Sequence, residues 1–124
     1  MPRPSLFHTQ PLLAALMATG LSLPLAAQAQ VSPANVRALN TARETAVSLN
    51  GGLSVYRPAA CMFETGTGGG SCLVREDSQG FLFRFNGGVP GWQQQGIAPT
   101  VETEIQVSAD GRSVLTIVHN GPPR

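Results

Sequence analysis

Lysine is absent from this chain, histidine and cysteine each occur only twice, and 12% of the 124 residues carry charge. The balance of charge and the scarcity of histidine each remove a class of function, whereas the absence of lysine by itself excludes none. Eight arginines are nearly cancelled by seven acidic residues, so no electrostatic footprint exists for DNA, RNA or an anionic membrane surface. His8 falls in an apolar leader, and His119 alone cannot build a multi-histidine metal site; it reads as a solvated strand end. The glycine run at 66–70 lacks the Lys-Ser/Thr of a phosphate cradle, and the segment after it reads as strand rather than helix. No Gly-x-Ser-x-Gly string marks a nucleophilic serine. No internal repeat is present, and no cofactor is expected.

What is present begins with that leader. Arg3 supplies a positive start, an uncharged apolar stretch opens at Leu12, Pro24 breaks it, and Ala27-Gln28-Ala29 offers the small residues that signal peptidase requires. The pattern predicts a secretory signal at 1–29 with cleavage after Ala29, leaving one small domain at 30–124. An uncleaved anchor helix is the alternative, because the uncharged run is nearly long enough to span a bilayer. Periplasmic or secreted placement follows from the signal, with no membrane association after cleavage. In an oxidising compartment a thiol pair normally closes a bridge. Cys61 and Cys72 are spaced far beyond a Cys-x-x-Cys redox motif, and joining them would destabilise the unfolded chain by about 3 kcal/mol.

Ser32-Pro33 is a helix-start signature, and Val36, Leu39, Ala42, Ala46 and Leu49 then recur at helical steps until Asn50-Gly51-Gly52 stops them. Beyond residue 53 the period becomes alternating, with glycine or proline every few residues, as in short antiparallel strands. Strands are expected at 53–57, with Pro58 ending the strand or marking an edge, and at 60–64 and 71–76 as a hairpin clamped by the cysteines. Asp77-Ser78-Gln79-Gly80 is a turn, and Phe81, Phe83 and Phe85 then place three rings on one face, the expected centre of the core. Residues 86–100 have no period and read as a long loop. Strands at 101–108 and 113–119 form a last hairpin; a three-residue loop at 109–111 with Gly111 left-handed would set Ile105 opposite Leu115 and Thr103 opposite Ile117. Residues 121–124 read as a tail. The fold class is α+β: one N-terminal helix packed on an antiparallel sheet of about five short strands, with a hairpin disulfide.

Little of this is chemistry. Glu102 and Glu104 share one strand face, the spacing a general acid–base pair needs, but charges on the solvent side of an amphipathic strand are the ordinary pattern. Trp92, the sole tryptophan, sits in the aperiodic loop beside Gln93, Gln94 and Gln95. An aromatic face flanked by amides can stack on a sugar or anchor a protein, whereas burial area favours Trp92 folding back over the sheet or the Phe row. Tyr56 and Arg57, next to Pro58, are placed with the same region. The expected function is a non-catalytic envelope or periplasmic module that binds a protein or glycan through residues 86–100, with Trp92, Gln93, Gln94 and Tyr56 as contacts. The alternatives are a small hydrolase or thiol-dependent enzyme using Cys61 or Cys72 with His119, and a purely structural envelope protein. Nothing in the sequence sets the oligomeric state.

Overall fold

In a computed structural model of the chain, residues 2–5, 18–21 and 30–124 are described. Of the expected signal, residues 12–17 and the Ala27-Gln28-Ala29 motif lie outside the described residues. Among the described residues, no helix is long and apolar enough to cross a membrane.

Helix α1 (Pro33–Leu49) starts where local chemistry requires. The Ser32 hydroxyl accepts from the Asn35 backbone N–H at 3.0 Å, and Pro33 occupies the first turn. Asn50 caps its end, and Gly51 and Gly52 follow with positive φ. The buried stripe is Asn35, Ala38, Leu39, Ala42 and Ala46; Leu49 is exposed, so the apolar face is rotated from the expected one. Alanine at three of those positions lets the helix approach the sheet closely. The docking is tight: Ala38, Leu39, Ala42 and Ala46 are fully buried.

The sheet has five antiparallel strands: β1 (Arg57–Pro58), β2 (Leu73–Asp77), β3 (Gly80–Gly88), β4 (Val101–Val107) and β5 (Val114–Gly121). Their order is β1-β3-β4-β5, and β2 also pairs with β3. The α+β architecture is therefore as the periodicity implies. Alternation puts Phe81, Phe83 and Phe85 on the helix-facing side, opposite Val107, Ile105 and Thr103. All three rings are buried, and each contributes about 1.5–3 kcal/mol of apolar burial.

Three expected elements differ. Residues 53–57 do not form a strand: Val55 and Tyr56 donate back to the Gly52 carbonyl, and β1 keeps only two residues. The disulfide joins Cys61 to Cys72 with Cα atoms 5.8 Å apart, but it does not clamp a β-hairpin. Its loop is built from three short 3₁₀ turns, Ala60–Phe63, Thr65–Thr67 and Gly70–Cys72. The reason is the glycine run, since Gly68, Gly69 and Gly70 all take positive φ, which a strand cannot accommodate. A side chain at Gly69 would crowd Leu39 and the Phe83 ring, so the glycine is also what lets the loop settle on the core.

The last hairpin is offset from its expected register. Ile105 pairs with Ile117 and Thr103 with Asn120, because single extra residues, Leu115 and Val118, are inserted where the pairing shifts. The connection runs from Ser108 to Ser113, with Gly111 left-handed as expected. These bulges leave Leu115 and Val118 exposed and interrupt the outer edge of β5, which blunts it as a template for another strand. The tail also differs: Arg124 folds back, its Nε donating to Glu102 at 2.6 Å and its NH2 group to Glu104 at 2.7 Å.

Candidate functional site

β3 runs on to Gly88, so the segment after it is shorter and more ordered than an aperiodic loop at 86–100 implies. Val89-Pro90-Gly91-Trp92 makes a turn in which the Trp92 N–H donates to the Val89 carbonyl, and Gly91 supplies the positive φ that this turn requires. Gln95 N–H then bonds the Gly91 carbonyl and Ile97 N–H the Trp92 carbonyl.

Two side chains fasten this turn to the rest of the molecule. The Trp92 indole N–H donates to the Arg57 carbonyl at 2.9 Å, and the Gln93 side-chain oxygen accepts from the Ala60 backbone N–H at 2.8 Å. The turn is thus tied to β1 and to the 3₁₀ turn that carries Cys61. Between the two segments lies a cleft of about 450 Å³, lined by Arg57, Pro58, Ala60, Phe63, Pro90, Gly91, Trp92, Gln93 and Gln94. Behind the Trp92–Gln93 wall is a smaller recess backed by the disulfide, Arg84 and Asn86.

Of the residues singled out in the sequence, Trp92, Gln93 and Gln94 come together here. Trp92 is only 8% exposed, and its ring lies over Gly88, where a Cβ would meet it. The indole is therefore mainly a wall, as burial area favours. Tyr56 is not part of the cleft. It is 2% exposed and packs beneath Gly87, on the opposite face of β3 from Trp92, because consecutive residues of a strand point to opposite sides. Burial pushes the Tyr56 hydroxyl's pKa up, partly offset by the neighbouring Thr103 hydroxyl, and the oxygen lacks a well-formed hydrogen bond.

Sequence reasoning missed Phe63. It falls in a segment that reads as strand, yet on its 3₁₀ turn it stands 45% exposed at the cleft rim, with the Arg43 guanidinium 5.0 Å from the ring centroid. Arg43 also donates to the Met62 carbonyl at 3.0 Å, which holds the turn against α1. Only the tertiary contact distinguishes this phenylalanine from a core one.

The Glu102–Glu104 pair is occupied. Glu104 is buried under Arg124 and Arg84, and Arg124 bridges both carboxylates. Hydrogen bonds from Arg124 first, and then Arg84, hold the Glu104 carboxyl below the usual glutamate range. The expectation of a plain solvent-facing pair is corrected by this cover. A pair neutralised in this way is poorly disposed for acid–base work. The His119 ring contacts the Pro122 carbonyl at 2.9 Å. Both cysteines are consumed by the bridge. Among the described residues, no group of three or more His, Cys, Asp or Glu side chains could hold a metal ion.

The chain matches no family model, and no characterised protein or solved structure is significantly similar to it.

Proposed function

We propose that the protein is an exported, non-catalytic binding module that holds a protein or glycan ligand in the cleft between Phe63 and Trp92. The observation that carries this reading is the way the cleft is built. Two irregular segments are pinned to each other by the Trp92 and Gln93 hydrogen bonds, one of them is covalently closed, and a concave, mostly apolar surface with a few polar groups is left between them. Such a surface is pre-organised, so a ligand need not supply the ordering entropy. Export rests on the leader's composition, and the bridge is consistent with an oxidising compartment. Mass analysis of the mature protein should then give Gln30 as its first residue, with no free thiol.

A thiol-dependent mechanism would need the Cys61–Cys72 bond broken first. A purely structural role draws on one specific observation, the burial of Trp92. The two readings separate at exposed cleft residues whose loss leaves the core untouched. Retention of the oxidised protein on envelope material should fall for Phe63→Ser and Gln94→Ala, while Leu115→Ser on the β5 edge behaves as wild type. Retention that is absent, or equal in all four proteins, overturns the binding role.

A further inference from the structure

Among the described residues Arg75, Arg84 and Arg124 form ion pairs, whereas Arg37, Arg43, Arg57 and Arg112 form none. Arg84 and Arg124 are balanced by Glu104 and Glu102, and Arg75 by Asp77. Arg57 is exposed, it lines the cleft, and it is the only charged residue there. The groove on the other side of Phe63 contains Arg43 together with Glu44, so it is neutral overall. The net positive character therefore belongs to the Trp92 side. A guanidinium that presents a planar fork with no carboxylate opposite it is suited to bidentate capture of one.

The groups around Arg57 restrict what can carry that carboxylate. The Trp92 indole N–H is already given to the Arg57 carbonyl, and the Ala60 N–H to Gln93. Two donors that could read sugar hydroxyls are thereby taken, which leaves the Gln93 and Gln94 amides as the neutral polar groups of the lining. Beyond Gly91 and the two amides Gln93 and Gln94, the wall is Pro58, Ala60, Phe63 and Pro90, against which hydroxyls would be left unpaired. An apolar side chain fits that wall, and Gln94 at the rim can serve a peptide amide.

Resting on the binding role proposed above, we infer that the occupant is an extended protein segment in which a carboxylate, taken by Arg57, adjoins a compact apolar side chain seated among Pro58, Phe63 and Pro90. The test uses the Trp92 indole resonance, unique in the spectrum, on the oxidised protein. The probes are the blocked peptide acetyl-Gly-Asp-Leu-Gly-amide, its Asn isostere, and a uronic-acid tetrasaccharide. The acidic peptide should shift the resonance saturably. Affinity should fall about tenfold for the Asn isostere, and similarly for Arg57→Gln, as expected for one charge-assisted pair. Arg75→Gln, whose partner is Asp77, should leave binding unchanged. Equal binding of the two peptides, an unaffected Arg57→Gln variant, or tighter binding of the tetrasaccharide overturns this inference while leaving the cleft a binding site. No shift with any probe overturns it as well, and the binding role then stands or falls on retention by envelope material.

Discussion

The two glycine-rich segments, 61–72 and 86–100, are held by opposite means. The first is closed by a covalent bond between its ends, and inside that closure it follows whatever path its glycines allow. The second has no covalent tie and is fixed from its middle, where one indole and one amide reach across to β1 and the Cys61 turn. A cross-link acts mainly on the unfolded state, by removing conformations it could otherwise visit. A buried side-chain anchor acts on the folded state through area and hydrogen bonding. The cleft depends on both, because Gln93 bonds to Ala60, the residue next to Cys61.

The largest expected effect is on the anchored segment. Trp92→Ala removes a buried ring and strands the Arg57 carbonyl, and should cost about 3–5 kcal/mol in denaturant unfolding. A cost below about 1 kcal/mol would show that the indole is not an anchor. Next comes the covalent segment. Replacing Cys61 and Cys72 by serine should cost about 3 kcal/mol and lower Tm by more than about 10 °C. An unchanged Tm would mean that the 3₁₀ turns close the loop unaided. Gln93→Ala is smaller, about 1 kcal/mol for one hydrogen bond, and its effect should shrink in the serine variant if the two segments support each other.

The smallest effect lies outside both segments and serves as the control. Because Arg124 and Arg84 depress the Glu104 pKa, the unfolded state binds more protons than the native one as acid is added. That contribution is fully present above about pH 4.3, the ordinary glutamate value, and is lost as pH falls through the lower folded value. Arg124→Gln should lower Tm slightly at pH 7, and the variant and wild-type curves should converge in acid. A gap that widens in acid would reverse the assignment.

How much of this could be read from the chain follows from the range of the interactions involved. Helix α1 and the Phe81, Phe83 and Phe85 row were legible because capping and alternation are local, and Ser32-Pro33 and the three rings carry them within a few residues. The bridge was legible from cysteine count and leader. The path of 61–72 was not, because a glycine run permits many backbones and only Leu39 and Phe83 select one. The register of β4 and β5 failed because Leu115 and Val118 look like ordinary strand residues until pairing makes them bulges. Trp92, Gln93 and Gln94 were found as a group by their lack of period. Phe63 requires the tertiary fold, and so does the difference between Tyr56 and Arg57: sequence places both beside Trp92, but Tyr56 is buried beneath Gly87 and Arg57 alone lines the cleft.

The covalent loop and the anchored turn brace one another to make the cleft. Hydrogen exchange of the Trp92 indole N–H, followed by NMR before and after reduction of the disulfide under conditions where the protein stays folded, tests it most directly. Slow exchange in the oxidised protein that becomes markedly faster on reduction is the predicted result. Exchange that is already fast when oxidised, or that is indifferent to reduction, would contradict it.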